Sequence, residues 1–555
     1  MKSHMLIFYT FMLGLFCTLV QIPAISRLAI SIGVLDKTDD RKIHRGEIPR
    51  LGGIAIFSSV FLAVLLFSSL DGKIRAYLTG GIIIFLVGLT DDLQGLTSRQ
   101  KFIGEFIAAT VTIVIGDLSI TSIGNLFGSG ELLLGQLSLP FTIVALVGVI
   151  NAVNLIDGLD GLAGGITAIA SLGFLVFAWL SGNLDLVYVL AALIGATLGF
   201  LKYNTHPAQI FMGDSGSLFL GYSLGFSAIN LAVMDREHIS PVIPLIVLAL
   251  PIFDTIVVMI RRKRNGAHFF SPDKNHLHHR LLSLGFNHRQ VVGLLYAVSY
   301  CLVIGAFFSY AVTESWLFLG LLVCLACGYL NLWLMEREYA ELGSLRFFSI
   351  KFPSLKVARN SRLHRLYVLL SRIAKYLLVG IFCLTMSIPP VIKGNLAIIS
   401  VLLIAMIWLV ISMRTDQRSR FLYFIIYFSG AFVVYLMQHY TRGIVFAGVP
   451  VLTASSIAFG MLFLAVLALI TIRGNPAVVI STPLEYLIIF LVISVPLLPE
   501  PFRQRYDLLM VSAKSVVLFI ALKLVLKPTA YRNRKIILAA LASLIVIIIR
   551  NLFSL

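Results

Sequence analysis

The sequence predicts an all-α polytopic membrane protein, and three observations carry that prediction. Hydrophobic residues make up 59% of the 555 residues and charged residues only 13%. The resulting mean hydropathy of +0.96 is far above that of soluble globular chains. Many apolar runs reach the ~17–25 residues that a helix needs to cross ~30 Å of hydrocarbon. Short polar breaks separate these runs, which is not the pattern of a membrane β-barrel.

Hydropathy places about eleven helices in an N-terminal core and about seven more in a C-terminal extension. We expect residues 1–335 to form the core, residues 336–375 a basic cytoplasmic linker, and residues 376–555 a multi-span extension. The predicted spans of the core are residues 5–25, 51–70, 76–89, 102–115, 137–150, 162–180, 184–201, 218–234, 241–260, 291–310 and 316–335. Those of the extension are residues 376–392, 396–413, 421–437, 444–472, 483–498, 508–526 and 536–549.

The distribution of basic residues predicts the orientation. In the first 375 residues, 25 lysines and arginines fall in loops on one side of the spans, and four fall on the other. Because basic loops stay in the cytoplasm, the N-terminus is expected outside. Five polar loops then share the cytoplasmic face. They are DDRKIHRGEIPRLGG (39–53), TDDLQGL (90–96), NAVNLIDGLDGLAGG (151–165), FMGDSGS (211–217) and RRKRNGAHFFSPDKNHLHHRL (261–281).

The second of these loops contains two adjacent acids at the end of a span. On a helix, Asp91 and Asp92 point about 100° apart, so we expect them to meet different partners. The alternative is that TDD caps the helix that begins near Thr97, or ends the preceding span in water.

The third loop carries four carboxylate and amide groups within ten residues: Asn151, Asn154, Asp157 and Asp160. Neighbours in this series are three residues apart and share a helix face, whereas Asn151 and Asp160 would face opposite sides of an ideal helix. Glycines in the loop permit a break, which would let Asn154 and Asp157 face one ligand while Asp160 meets another part of it. The alternative is a polar turn between two spans.

In the fourth loop, Asp214 stands between Gly213 and Gly216, where the backbone can approach a phosphate closely. An acid beside phosphate-binding backbone makes sense if Mg²⁺ lies between them, since carboxylate, amide and phosphate oxygens are its preferred ligands. Phe211 offers a flat face for a base, although such a residue beside a span usually only packs.

The last loop supplies cations. The run Arg261 to Arg264 is typical of a topology signal. The group His276, His278, His279 and Arg280 is different, because zinc ligation would need a complement that is missing nearby, and binding of an anionic diphosphate suits the acid-rich neighbours better.

The five loops, in this order, resemble the polyprenyl-phosphate N-acetylhexosamine-1-phosphate transferases, which are related to the phospho-MurNAc-pentapeptide translocase in glycosyltransferase family 4. The resemblance covers about residues 5–335. It implies transfer of a sugar 1-phosphate from a UDP-sugar to undecaprenyl phosphate, with release of UMP. It also implies a multi-pass protein of the bacterial cytoplasmic (inner) membrane, a requirement for Mg²⁺ or alternatively Mn²⁺, and an active site facing the cytoplasm. The last loop is similar to that of the GlcNAc-1-phosphate branch, which favours GlcNAc.

The resemblance further implies roles for individual residues. The expected metal ligands are Asn154 and Asp214, the expected uridine contacts Phe211 and Gly213 with Asp160 nearby, and the expected catalytic pair Asp91 and Asp92. We expect His276, His278, His279 and Arg280 to stabilise the leaving UMP, and Asn151 and Asp157 to contact substrate. In the first loop Lys42, His44 and Arg50 are expected to hold a phosphate. A second copy of the chain is a candidate partner, and nucleic acid is not expected.

Length is the departure from this family, because seven further predicted spans follow the core. No catalytic motif is evident there, so the extension is interpreted as a docking platform, a lipid-handling module or an inert fusion. The alternative for the whole chain is a transporter or lipid-handling protein whose acids form an ion path. Acids clustered at one membrane face argue against it, since transporter sites lie near the midplane.

Overall fold

The computed structural model of the protein divides into two compact units. The first comprises Met1–Ser349 with Thr482–Phe490, and the second comprises Ile350–Ser481 with Leu491–Leu555. The structure describes residues 2–36, 47–234, 239–264, 266, 276–307, 312–342, 362–387, 395–412, 418–441, 443–446, 448–473, 485, 507–526 and 534–552.

Thirteen helices and one short hairpin make up the described part of the first unit. The helices are α1 (Lys2–Ile32), α2 (Gly52–Phe67), α3 (Gly72–Gln94), α4 (Ser98–Gly116), α5 (Ser138–Ile156), α6 (Leu162–Leu180), α7 (Leu184–Asn204), α8 (Gly213–Met234), α9 (Val242–Val247), α10 (Ala249–Arg264), α11 (Leu277–Ser283), α12 (His288–Phe307) and α13 (Glu314–Leu342). The hairpin pairs β1 (Leu35–Asp36) with β2 (Ile48–Pro49) in antiparallel register.

Two buried helices form the centre of this unit. Helix α7 packs against α1, α2 and α6, and helix α8 packs against α3, α5, α2 and α6. Both are buried on nearly every side, as expected of helices surrounded by others. Close approach of α2 to α8 depends on Gly53, because a Cβ there would lie 2.2 Å from the backbone nitrogen of Gly216. The N-terminus of α8 is therefore enclosed by the ends of α2 and α3.

The ninth predicted span, residues 241–260, is two helices rather than one. The break falls at Leu248, between α9 and α10. Pro251 explains it, since proline has no N–H to bond the carbonyl of Val247, and its ring clashes with that carbonyl in a continuous helix.

The second unit contains six described helices and a second short hairpin. The helices are α14 (Arg362–Cys383), α15 (Asn395–Ser412), α16 (Arg418–Tyr440), α17 (Val451–Arg473), α18 (Leu508–Leu526) and α19 (Arg534–Leu552), and the hairpin pairs β3 (Val445–Phe446) with β4 (Val449–Pro450). The start of the predicted span 444–472 is therefore wrong, because the hairpin precedes the helix. The predicted span 483–498 lies almost entirely outside the described residues.

Ten of the described helices are long and apolar enough to cross a membrane. Together with the near absence of strands in the described residues, this confirms the predicted all-α polytopic class. The predicted linker 336–375 has helix at both ends, since α13 continues to Leu342 and α14 begins at Arg362.

Candidate active site

The Asp92 carboxylate joins the end of α3 to the start of α8. Its Oδ1 accepts a hydrogen bond from the Asp214 N–H at 2.8 Å, and its Oδ2 accepts from the Ser215 N–H at 3.0 Å and the Ser215 hydroxyl at 2.7 Å. An acid in the last turn of its own helix opposes that helix's dipole, but at the N-terminus of another helix it satisfies N–H groups that lack partners. Asp92, whose side chain is fully buried, thus fixes where α8 begins.

Gly213, the first residue of α8, can only be glycine in this arrangement. Its φ is +70°, in the left-handed region. A Cβ at this position would lie 2.4 Å from the Arg50 carbonyl oxygen and 2.4 Å from Asp92 Oδ2. The backbone of α8 therefore approaches both the first loop and the second one as closely as atoms allow.

Three oxygens from three helices converge on the Lys101 ammonium. Its Nζ lies 3.1 Å from Asp91 Oδ2 and 2.9 Å from Asp214 Oδ1. The Asn154 amide nitrogen donates to Asp214 Oδ1 at 3.0 Å and to the Ser217 hydroxyl at 2.7 Å. In this orientation the Asn154 amide oxygen lies 3.2 Å from the same ammonium. Helices α3, α5 and α8 thereby supply an oxygen cluster, and α4 supplies the cation.

This oxygen cluster of Asp91, Asn154 and Asp214 fits a divalent cation. Two carboxylates and an amide carbonyl are the hard oxygen ligands that Mg²⁺ prefers. The point where they meet already stabilises positive charge, because an ammonium group lies there. The sequence predicts Asn154 and Asp214 as metal ligands. In the structure the Asp91 carboxylate lies at the same cation position.

Arg50 stands beside the cluster with part of its side chain exposed. One guanidinium nitrogen lies 3.7 Å from Asp92 Oδ1 and 3.9 Å from Asp214 Oδ2. At these distances its donors stay available for an incoming phosphate. The other first-loop residues predicted to hold a phosphate, Lys42 and His44, lie outside the described residues.

Asp157 occupies the break between α5 and α6, next to the oxygen cluster. Burial raises its pKa to about 7, the nearby Asp214 carboxylate adds to the rise, and the Arg50 guanidinium opposes it. Additional positive charge near this carboxyl would lower its pKa again, because a nearby cation stabilises the ionised form. Asp157 therefore lies within electrostatic reach of the Asp214 carboxylate and the Arg50 guanidinium.

Asn151 and Asp160 make their described contacts with protein groups other than the three members of the oxygen cluster. The Asn151 amide donates to the Glu105 carboxylate and to the Val147 carbonyl oxygen. Asp160 Oδ2 lies 2.8 Å from His206 Nδ1 and accepts from the Ala208 N–H at 3.1 Å. Their predicted substrate roles stay predictions.

His206 stacks on His288, with ring centroids 4.2 Å apart and planes inclined by 22°. Ligand atoms of Asp160 and the two histidines lie within 4.8 Å of one another. Nearly parallel rings direct their nitrogen lone pairs along separate planes, however, so the pair does not converge on one ion. We interpret the group as a flat surface that the Asp160 carboxylate orients beside the third loop.

Helix α11 carries the histidines of the last loop, and Asp254 on α10 fixes its start. Asp254 Oδ1 accepts from the Leu277 N–H at 2.9 Å, and Oδ2 lies 2.8 Å from His276 Nδ1. The His276 side chain is thereby bound to another protein group.

Phe211, in the fourth loop, is held through its backbone, which forms hydrogen bonds with the backbone of Pro49 and Gly52. The Phe211 ring is half-buried.

His278 presses against the backbone of the third loop. A Cβ on Gly158 would lie 2.1 Å from His278 Nε2. Neither ring nitrogen has a hydrogen-bond partner among the described residues. Burial lowers the pKa of His278 to about 3, and neighbouring His279, whose ring centroid is 4.3 Å away, adds to the lowering. His278 is therefore a neutral imidazole facing the site, with His279 beside it.

Arg280, which the sequence predicts to bind substrate, makes a bidentate ion pair, and its role toward substrate stays a prediction. Its Nε and one terminal nitrogen donate to the two oxygens of Glu336 at 2.7 and 2.8 Å. Arg280 is buried, and Glu336 belongs to α13, so the pair ties α11 to the last helix of the first unit. The first residue of the predicted linker is thus a structural partner of the last loop.

We expect Glu336→Gln to destabilise the protein and to reduce activity, because it leaves the buried Arg280 guanidinium without a counter-charge. The cost should be about 1–3 kcal/mol, less than for a fully buried pair since Glu336 is one-third exposed. Thermal unfolding measures it. Glu338→Gln is the matched control, because Glu338 lies on the same helix and makes no ion pair among the described residues. Equal melting temperatures for the two variants would contradict the role of the pair.

Lys101 and Glu105 are site residues that sequence reasoning missed. The sequence does contain a signal for Lys101. Lys101 stands in the first turn of α4, and Asp91 and Asp92 stand in the last turn of α3, so each of these three charges interacts unfavourably with the dipole of its own helix. Charges so placed indicate partners elsewhere in the fold. Thr97 and Gln100 form the capping box of α4, so neither Asp91 nor Asp92 caps that helix.

Comparison with known proteins identifies a family and several relatives. The family described as glycosyl transferase family 4 matches residues 74–232. A probable undecaprenyl-phosphate N-acetylglucosaminyl 1-phosphate transferase of Bacillus subtilis (strain 168) is 38% identical over 297 residues, which is 53% of this chain and 83% of the relative. The undecaprenyl-phosphate alpha-N-acetylglucosaminyl 1-phosphate transferase of Salmonella typhimurium is 32% identical over 48% of this chain and 74% of the relative.

A third relative extends the same pattern to another polyprenyl carrier. The decaprenyl-phosphate N-acetylglucosaminephosphotransferase of Mycolicibacterium smegmatis is 36% identical over 48% of this chain and 73% of the relative. Fold and relatives define a polytopic membrane protein in which charged side chains cluster where α3 ends and α8 begins. The chain belongs to glycosyl transferase family 4.

Proposed function

We propose that the protein transfers a sugar 1-phosphate from a UDP-N-acetylhexosamine to undecaprenyl phosphate, the first membrane step of cell-surface polysaccharide synthesis. The single observation that carries the proposal is the oxygen cluster of Asp91, Asn154 and Asp214 around a cation position, with Arg50 beside it. The three relatives above are named for N-acetylglucosamine 1-phosphate transfer to polyprenyl phosphates, which supports GlcNAc as the sugar.

The reaction needs positioning and charge neutralisation more than covalent help from the protein. An oxygen of undecaprenyl phosphate attacks the phosphorus that bears the sugar, and the bond from that phosphorus to the bridging oxygen breaks. UMP leaves with the bridging oxygen. Bound Mg²⁺ supplies positive charge at the diphosphate, and Asp91, Asn154 and Asp214 would hold it.

The other residues of the site have distinct tasks in this proposal. Arg50 binds a phosphate through its free guanidinium donors. His278 and His279 contact the leaving group from the side of the third loop, while Asp92 keeps the N-terminus of α8 in place. The half-buried ring of Phe211 contacts uridine, next to the buried backbone at Gly213.

Purified protein supplied with UDP-GlcNAc, undecaprenyl phosphate and Mg²⁺ should release UMP, and EDTA should stop the release. Chromatography of the nucleotide product measures it, and Mn²⁺ added after EDTA tests whether another oxygen-preferring ion substitutes. UDP as the product would indicate ordinary glycosyl transfer and would contradict the proposal. Absence of turnover with every UDP-N-acetylhexosamine would favour the transporter alternative.

We further propose that the site faces the cytoplasm of a bacterial inner membrane and that the N-terminus lies outside. The distribution of basic loops supports this orientation. A reporter inserted after Ser129 should therefore be active only as an external reporter, and one after Asn265 only as a cytoplasmic reporter. The opposite pattern would overturn the assignment of sides.

A further inference from the structure

The second unit contains a buried lysine that the proposed chemistry does not use. Lys514 lies on α18, which packs against α14, α16 and α17 and so occupies the middle of the bundle. Only 6% of Lys514 is exposed. An ionisable residue buried within a membrane bundle is costly, and such residues usually face a partner or a functional site.

The contacts of Lys514 are neutral groups. Its Nζ donates to Gln438 Oε1 on α16 at 3.1 Å and to the Ser455 hydroxyl on α17 at 3.3 Å, and it lies 5.8 Å from the centroid of the Phe459 ring. No carboxylate contacts it among the residues that the structure describes. An ammonium has three N–H donors, so one donor remains for another acceptor.

The composition of this part of the chain supplies few counter-charges. Residues 350–555 contain 22 lysines and arginines but only four acids, Asp416, Glu485, Glu500 and Asp507. Asp507 precedes Lys514 by two helical turns, about 10 Å along the axis. A charge buried without a partner must lose its proton or bind an ion of opposite sign.

The depth of Lys514 favours the phosphate of a lipid as that ion. It stands six residues from the start of α18, about 9 Å along a helix about 28 Å long, and so lies in the terminal third of the helix, nearest the end where a headgroup would enter. Lysine binds phosphate as a point charge. Gln438 and Ser455 hold the ammonium in place for that group.

We propose that Lys514, Gln438 and Ser455 form a binding site for a lipid-borne phosphate within the C-terminal bundle. The lipid is either a polyprenyl phosphate or an anionic phospholipid, which share this chemistry. The site is independent of the proposed transferase centre in the first unit, so it stands even if that activity is absent.

Native mass spectrometry of the full-length protein with undecaprenyl phosphate, phosphatidylglycerol or undecaprenol tests the proposal. Each wild-type molecule should bind one additional phosphate-bearing lipid compared with Lys514→Met. The variant's apparent affinity for that lipid should be lower by at least ~10-fold, which corresponds to about 1.4 kcal/mol of binding free energy. Lys535→Met is the matched control, because Lys535 also contacts an aromatic ring, that of Tyr376, but is exposed. Which phosphate lipid is lost identifies the source.

An equal number of bound phosphate lipids in wild type and Lys514→Met would overturn the proposal. So would a loss of undecaprenol binding in the variant as large as the loss of phosphate-lipid binding, since that would indicate an apolar groove. A photoreactive lipid phosphate on the wild type makes the test independent of how the variant folds. Labelling of α16, α17 or α18 that excess phosphate lipid competes away supports the site, and labelling confined to the first unit contradicts it.

Discussion

Asp214→Asn should reduce the rate of UMP release about 10³-fold, which corresponds to ~4 kcal/mol of transition-state stabilisation. Asp214 Oδ1 is one of the three oxygens around the cation position. An amide in its place removes a full negative charge from the ligand set, so divalent-ion binding at the diphosphate weakens. Turnover should be measured over a wide range of Mg²⁺ concentrations, because weakened binding would shift the metal dependence as well as the maximal rate.

The fold should tolerate this change. The N-terminus of α8 is capped by Asp92 rather than by the Asp214 side chain, so the melting temperature of Asp214→Asn should stay close to that of wild type. Asp185→Asn is a suitable control, since Asp185 accepts from the Ser69 N–H and hydroxyl and stands apart from the cluster. It should keep its activity within about twofold. A near-normal rate for Asp214→Asn together with an unchanged dependence on Mg²⁺ concentration would remove Asp214 from the ligand set.

The sequence predicted the fold class because composition and span length depend only on local chemistry. The same holds for the separation of Asp91 from Asp92, which follows from helix geometry and reappears as different partners for the two carboxylates. The break at Leu248 could also have been predicted, since Pro251 lies inside the apolar run.

Other features needed the tertiary structure. The Arg280–Glu336 pair joins residues 56 positions apart on different helices, so no local pattern marks Arg280 as structural. The approach of Lys101 to Asp214 likewise depends on how α3, α4 and α8 pack. Sequence reasoning therefore grouped Arg280 with the residues expected to stabilise the leaving UMP, and counted Lys101 only as one of the 25 basic loop residues that predict the orientation.

Asp92→Asn should lower stability and activity together, in contrast to Asp91→Asn. Both oxygens of Asp92 accept hydrogen bonds from donors on α8. An asparagine turns one of these acceptors into an NH₂ group that faces an N–H, so a buried donor loses its partner at a cost of about 1–3 kcal/mol.

Asp91→Asn is the matched variant one residue away. Its amide oxygen can still accept from the Leu96 N–H, which Asp91 Oδ1 binds at 2.6 Å, so the turn between α3 and α4 should persist. We expect loss of UMP release with little change in melting temperature for Asp91→Asn. For Asp92→Asn we expect a melting temperature lower by several degrees and a corresponding loss of rate. The contrary result is that Asp92→Asn keeps the wild-type melting temperature while losing all turnover. That result would mean that Asp92 acts directly on substrate, because removing a residue that only holds the start of α8 must destabilise the start of that helix.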